Sequence, residues 1–228
     1  MGPGGSYLRD FVYGAIDGTV TTFAVVAGVA GAGLATPVAL ILGVGNLVAD
    51  GFSMAVSNFL GTRSEEQRRQ RVRREEERHL ALVPDGEREE VRQLLRARGF
   101  EGDILDQVVD VVTSDHDLWL DFMLREEHGL SAEDHRPFRA AAATFVAFVL
   151  VGVVPLTAFI VDALPGIDVD GVFRLSAAFT AMAFFAVGAM KGLVVGQRWW
   201  RSGVEVLAIG SAAAAFAFAA GAALGGLA

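Results

Sequence analysis

The sequence contains no cysteine, which excludes disulfide bonds and metal sites built on thiolates. It also lacks the basic excess that nucleic-acid binding requires, because its formal net charge is −8. Apolar residues, by contrast, are abundant. They make up 53% of the chain, with 27 glycines in addition, whereas an average soluble domain is roughly 45–50% apolar with glycine already counted. This composition favours a membrane protein.

Charged side chains are missing from long parts of the chain and concentrated in one segment. Residues 63–136 hold 33 of the 46 charged residues and all four histidines, with a net charge of −7. The remaining 154 residues carry only 13 charges. The sequence therefore predicts two apolar regions, residues 1–62 and 137–228, that flank a polar insert at residues 63–136.

The apolar regions contain five segments of the length that a bilayer requires, about 20 residues each. These are residues 11–34, 38–60, 138–161, 172–195 and 204–227. The alternative, a soluble bundle of buried helices, is disfavoured because residues 212–226 offer no polar face. The expected fold is an all-α membrane protein with five transmembrane helices and a three-helix cytoplasmic domain inserted between the second and third.

The positions of the basic residues predict how the chain crosses the membrane. Arginine is concentrated in the insert, and basic residues recur at 191–201, whereas the connections after the first and third spans carry none. This pattern puts the N-terminus and the insert in the cytoplasm and the C-terminus outside. The preference for arginine over lysine, without a targeting peptide, favours a bacterial plasma membrane.

Helix-stopping residues divide the insert. Pro84, Gly99 and Gly129 separate three predicted helices at residues 64–82, 87–98 and 103–128. After the last of them, Ser131 and Asp134 match a capping box that leads into the third span.

Several potential metal ligands in the insert recur at helical spacing. Residues three or four apart share one face of a helix and can converge on one ion. Carboxylate with imidazole suits Fe²⁺, Mn²⁺ or Zn²⁺, and a thioether adds a preference for softer metals. A solvated charged face is the alternative reading of the same spacing. The pairs are Glu76 with His79, Glu87 with Glu90, and Met123 with Glu127.

Two acidic residues lie inside predicted spans. Asp17 is in the first span, and Asp50 is in the middle of the second, near Met54 and Asn58. A charge at the bilayer centre costs about 2.5–3.5 kcal/mol, so such residues mark ion pathways. The alternatives are that Asp17 lies near the membrane interface and that Asp50 only hydrogen-bonds a neighbouring helix.

Several of these motifs together resemble the vacuolar iron transporter family. They occur in the order of the family and cover nearly the whole chain. The similar strings are YGAIDG at residues 13–18, continuing through residue 34, ADGFSMAVSNFLGTRSE at residues 49–65, VGVVPLTAF at residues 151–159, and GAMKGLVVGQRWWRSGVEVLAIG at residues 188–210.

This resemblance implies a five-span homodimer that exchanges Fe²⁺ and related divalent ions for protons, with the ion path at the dimer interface. Asp17 and Met54 match the family's membrane-path residues. His79 replaces a family glutamate, and Leu124 stands where the family has a second methionine. The residues that match the family's metal ligands in the insert are Glu76, Glu87, Glu90, Glu127 and Met123.

The chain departs from the family at Ser57-Asn58-Phe59, where many relatives carry Gly-Glu-Tyr. A carboxylate near the cytoplasmic end of the second span is therefore missing, which bears on proton coupling and metal preference. Asp50 and Asn58 are further candidates for the proton or ion path.

We therefore expect a divalent-metal transporter without enzymatic activity, which exports cytoplasmic Fe²⁺, or Mn²⁺, Co²⁺ or Zn²⁺, in exchange for protons. The alternative is a membrane-anchored metal buffer or sensor that binds ions without moving them. A ferritin-like oxidase is disfavoured, because such a centre needs two Glu-x-x-His sequences and the chain has one, at residues 76–79.

Overall fold

A computed structural model describes residues 4–130, 136–167 and 169–227 of the chain. These residues form α-helices and short 3₁₀ turns and contain no strand. The helices are α1 (Gly4–Gly31), α2 (Thr36–Leu82), α3 (Pro84–Ala97), α4 (Gly102–Thr113), α5 (His116–Glu126), α6 (Pro137–Gly152), α7 (Thr157–Asp162), α8 (Val172–Val195) and α9 (Trp199–Leu224).

The chain folds into two compact units. The apolar unit comprises Met1–Gly61 and His135–Ala228, and the charged unit comprises Thr62–Asp134. Helix α2 contributes its first part to the apolar unit and its last part to the charged unit.

Five helical segments are long and apolar enough to cross a membrane, so the predicted all-α fold with five candidate spans is confirmed. Four of them are close to the length predicted from the sequence. The fifth, which is α2, continues well beyond its apolar part. The segments are Tyr7–Gly31, Thr36–Leu82, Pro137–Asp162, Val172–Val195 and Trp199–Leu224.

Helix α1 is the centre of the apolar unit and packs against α6, α8 and α9. Glycines make these close approaches possible. A Cβ atom at Gly14 or Gly18 would overlap the backbone of α6, and one at Gly31 would overlap the backbone of α9. Lipid provides no hydrophobic force between helices, so such close backbone packing is what holds them together.

The third predicted span is not one regular helix. It consists of α6, a 3₁₀ turn at Val154–Leu156, and α7. Pro155 explains the interruption, because proline lacks a backbone N–H and its ring collides with the preceding helical turn.

The insert differs from the predicted three helices at two points. Its first predicted helix is not separate: α2 runs without interruption to Leu82, because no proline or positive-φ glycine lies between the apolar and charged parts. Its third predicted helix is divided into α4 and α5. There the Ser114 hydroxyl donates to the Val111 carbonyl at 2.7 Å, and the Asp115 carboxylate accepts from the Leu118 N–H at 2.8 Å, which ends one helix and begins the next.

An apolar core joins α3, α4 and α5 within the charged unit. Val91, Leu105 and Val109 are buried in it, together with Met123. A second cluster joins α5 to the end of α2 through Leu80, Leu120 and Leu124. The predicted capping box at Ser131 and Asp134 lies outside the described residues.

Replacing Gly14 by alanine is expected to destabilise the apolar unit by about 1–3 kcal/mol, because the added methyl group would meet the Thr144 carbonyl. Gly45→Ala is the control, since nothing lies within 4 Å of a Cβ at Gly45. Thermal unfolding of the detergent-solubilised protein measures both. Equal midpoints for the two variants would contradict the packing described here.

Candidate metal centre

Two glutamates of the charged unit are buried where a helix normally places an apolar side chain. On α2, Glu76 is one helical turn before buried Leu80, and its exposed fraction is 3%. On α3, Glu87 is 5% exposed and begins a buried stripe that continues with Val91 and Leu95. Residues four apart share a helix face, so both carboxylates point into the apolar contacts of the unit. Buried carboxylates are normally paired or coordinated to a metal.

Two imidazoles approach these carboxylates. The Nδ1 atom of His79 lies 3.6 Å from Glu87 Oε1 and 3.9 Å from Glu76 Oε1. The Nε2 atom of His128 lies 2.8 Å from Glu76 Oε1 and 3.7 Å from Glu127 Oε2. The side chains thus form two possible ligand groups that share Glu76. One is Glu76, His79 and Glu87, and the other is Glu76, Glu127 and His128; within each group all ligand atoms lie within 4.8 Å of one another.

The two buried carboxylates are incompletely satisfied. The Oε2 atoms of Glu76 and Glu87 are buried and have no hydrogen-bond partner in the described part of the chain. Burial raises the pKa of Glu87, and the negative charges of Glu90 and Glu76 raise it further. Burial likewise raises the pKa of Glu127, against the opposing effect of His128. A bound cation would favour the ionised form of each group and give the unpartnered oxygens a ligand.

The available donor atoms are carboxylate oxygens and imidazole nitrogens. This combination suits Fe²⁺, Mn²⁺, Co²⁺ and Zn²⁺, whereas Mg²⁺ and Ca²⁺ prefer oxygen ligands alone. Because the candidate ligands come from different helices, a cation in the first group would tie the end of α2 to α3, and one in the second group would tie it to the residues that follow α5.

Four of the ligands predicted from the sequence, Glu76, His79, Glu87 and Glu127, fall in these two groups. Two others do not.

Glu90 is exposed, and its carboxylate contributes charge near the cluster without joining either group. Met123 is fully buried in the apolar core of the charged unit. Its side chain therefore packs among aliphatic and aromatic side chains in this structure.

His128 belongs to one of the two possible ligand groups, although the sequence did not predict it as a ligand. It follows α5 directly and is 52 residues from Glu76 along the chain, so no spacing rule connects the two. The one sequence signal was local: His128 is the neighbour of Glu127, already a predicted ligand, and precedes the helix-stopping Gly129.

In the apolar unit, Asp17 lies half-buried on α1, and its carboxyl group is near that of Asp50 on α2. Met54, one turn beyond Asp50, packs against the main core cluster of this unit. Asp50 itself is exposed on the surface of the single chain. The structure thus brings Asp17 near Asp50 inside two of the candidate spans.

Amide side chains on α2 add polar contacts on either side of this pair. The Asn58 amide donates to Thr144 Oγ1 at 2.7 Å and to Asp10 Oδ1 at 3.2 Å. The Asn46 amide donates to Thr21 Oγ1 at 3.4 Å. Asn58 therefore lies beside a carboxylate that α1 supplies.

Glu87→Gln is expected to stabilise the metal-free charged unit at neutral pH. Because the pKa of Glu87 is raised in the fold, the folded state binds the proton more tightly than the unfolded state does. Stability therefore falls as the pH rises from the ordinary glutamate range through the raised pKa, and the uncharged amide removes this loss.

Amide hydrogen exchange of α3 in the presence of a chelator measures this effect. Adding Zn²⁺ should slow exchange in the unmodified protein and do so much less in Glu87→Gln. Glu75→Gln, at an exposed position of α2, serves as the control. In the presence of the chelator, exchange that slows in the Glu75→Gln control, or exchange that does not slow in Glu87→Gln, would contradict the role assigned to burial.

Comparison with known proteins places this architecture in one family. Residues 8–222 match the family model described as the VIT family. The chain is 33% identical to vacuolar iron transporter 1 of Arabidopsis thaliana over 94% of this chain and 84% of that protein. It is 31% identical to vacuolar iron transporter 1 of Eucalyptus grandis over 94% and 85%, and 30% identical to the vacuolar iron transporter of Toxoplasma gondii over 94% and 73%. The resemblance seen in the sequence motifs is thereby confirmed, and the chain belongs to the VIT family.

Proposed function

We propose that the protein moves divalent metal ions, with Fe²⁺ as the principal substrate and Mn²⁺, Co²⁺ and Zn²⁺ as further candidates, across a membrane in exchange for protons. The observation that carries this proposal is the pair of buried, incompletely partnered glutamates, Glu76 and Glu87, with two imidazoles beside them. They belong to a chain that also has five candidate membrane spans.

Membership of the VIT family makes the chain a transporter rather than an enzyme. The related proteins are named as iron transporters, which supports iron as the substrate here.

In this mechanism, residues 63–136 act as a capture domain. The net charge of −7 in this segment attracts cations and raises their local concentration. Glu76, His79, Glu87 and Glu127 then bind the ion, while Glu90 contributes negative charge beside them.

Asp17, with Met54 as a softer ligand, then receives the ion within the membrane, and Asp50 extends the path. A carboxylate oxygen holds either a proton or a metal ion, so entry of the metal releases a proton and reprotonation from the far side releases the metal. Asn58, bonded to Asp10 and Thr144, keeps a polar contact near one end of this path.

Two copies of the chain complete the path in this proposal. Asp50 is exposed in the single chain, and the apolar residues around it, Val48 and Phe52, are 61% and 65% exposed. A carboxylate that faced lipid at this depth would cost about 2.5–3.5 kcal/mol. A homodimer that brings two α2 helices together, with the ion path between them, would remove this cost and cover the apolar surface.

The distribution of arginine supports an orientation in which the N-terminus and the insert are cytoplasmic and the C-terminus is outside. The bacterial plasma membrane stays a prediction from composition; the related eukaryotic proteins are named for the vacuole.

The competing function is that of a membrane-anchored buffer or sensor, in which the charged unit binds metal and the helices serve only as an anchor. The ligand groups around Glu76 would suffice for such a role. Asp17 and Asp50 favour transport, because an anchor does not need acidic residues within its spans.

Transport in proteoliposomes tests the path. Asp17→Asn and Met54→Ala should reduce Fe²⁺-dependent flux and the accompanying pH change to near the background of empty vesicles, since each removes a ligand in the membrane. Met182→Ala, at a methionine of α8 that is 60% exposed, is the matched control and should retain normal flux. Normal rates in both path variants would contradict the proposed route, and the absence of flux in the unmodified protein would favour the buffer.

Capture and conduction should separate in the kinetics. Glu76→Gln weakens the shared ligand, so the metal concentration needed for half-maximal flux should rise, by about tenfold or more, while the maximal rate changes little. Glu75→Gln should leave both quantities unchanged. A fall in the maximal rate of Glu76→Gln without a change in half-maximal concentration would place Glu76 in conduction instead of capture.

A further inference from the structure

The chain directs His128 towards the end of α2 by a local turn. Gly129 adopts a positive φ of 64°, which few other residues tolerate, and reverses the chain directly after His128. The Leu130 N–H donates to the Leu124 carbonyl at 2.9 Å, and the Leu130 side chain is buried against Leu80 and Leu124. Because Leu80 is one turn beyond Glu76 on α2, this contact holds the imidazole of His128 opposite that carboxylate.

The distances around His128 are close to those of ligands that converge on one ion. Two donor atoms bound at about 2.0–2.2 Å to the same metal are separated by about 3.0 Å at octahedral angles and about 3.4 Å at tetrahedral ones. His128 Nε2 is 2.8 Å from Glu76 Oε1 and 3.7 Å from Glu127 Oε2. Small side-chain rotations would bring all three atoms to the spacing of a coordination shell.

A purely structural hydrogen bond explains only part of this arrangement. A bond between His128 and Glu76 satisfies one carboxylate oxygen, yet the buried Oε2 of Glu76 is left without a partner in the described residues. Glu127 also directs its carboxylate to the same imidazole nitrogen from a distance too long for a hydrogen bond. A cation among the three side chains would account for both features.

We propose that His128 is a metal ligand of the capture site and a determinant of its metal preference. With His79 in the neighbouring ligand group, it gives each group around Glu76 one imidazole nitrogen among carboxylates. Nitrogen ligands favour the later divalent metals of the first row, so the site binds Zn²⁺ and Co²⁺ in preference to Mn²⁺. This inference rests on the capture role proposed for the charged unit.

The experiment compares metal affinities of the full-length protein in detergent micelles. Zn²⁺ and Mn²⁺ are titrated separately and in competition, and the absorption spectrum of bound Co²⁺ reports nitrogen ligands. The variants are His128→Ala and His128→Gln. His116→Ala is the matched control, because the His116 side chain is 63% exposed, approaches its neighbour Asp117 at 3.9 Å, and belongs to neither ligand group.

His128→Ala should lower the Zn²⁺ affinity about 10–100-fold, change the Mn²⁺ affinity much less, and alter the Co²⁺ spectrum. His128→Gln retains a hydrogen-bonding side chain but lacks the imidazole, so it should show the same loss of preference. The control should behave like the unmodified protein in all three measurements.

An unchanged ratio of Zn²⁺ to Mn²⁺ affinity in His128→Ala would overturn the proposal. Full recovery of that ratio in His128→Gln would also overturn it, because His128 would then only position Glu76. If His128→Ala is poorly folded by hydrogen exchange, the glutamine variant decides. Absence of saturable metal binding in the unmodified protein would instead refute the capture role itself, which distinguishes the two failures.

Discussion

The central constraint on this structure is the electrostatic cost of burying carboxylates among apolar side chains. Glu76 and Glu87 take positions in the buried stripes of α2 and α3 that an aliphatic side chain would fill at no electrostatic cost. Each retains a buried oxygen without a partner, and the pKa of Glu87 is raised by burial and by neighbouring acids. In the proposed function, these carboxylates prepare a metal site at the expense of the stability of the metal-free fold, and a bound divalent cation would reverse the balance.

The same principle applies within the spans of the apolar unit. Asp17 and Asp50 lie near each other within two of the candidate spans, while small residues let α1 approach α6 and α9 closely. Close packing around α1 fixes the position of Asp17, whereas α2 leaves much of its apolar surface uncovered. This difference is what makes α2 the natural place for a second copy in the proposed transporter.

The sites in the two units suit different steps of transport. The charged unit combines carboxylates with imidazoles, which bind borderline metals selectively. In the proposed path, α1 and α2 offer carboxylates and the thioether of Met54, a sparser set from which an ion could leave again. Selective binding in the charged unit followed by weaker binding in the spans is compatible with flux. Tight binding at every step would instead hold the ion in the protein.

Much of this protein was determined by local sequence. Apolar runs predicted the five candidate spans, charge density predicted the segment that forms a separate compact unit, and glutamates at helical spacing indicated most of the candidate ligands. The uninterrupted length of α2 and the division of α4 from α5 at Ser114 were not predicted from the sequence. Both depend on whether a weak local stop signal is strong enough to end a helix that would otherwise continue.

Only tertiary structure decided which candidate ligands meet. His128 reaches Glu76 across 52 residues, Glu90 stays exposed, and Met123 joins the apolar core. The physical reason is that spacing along the sequence determines which face of a helix a residue occupies. The packing of the α3–α5 core against the end of α2 determines which residues of other helices lie opposite that face.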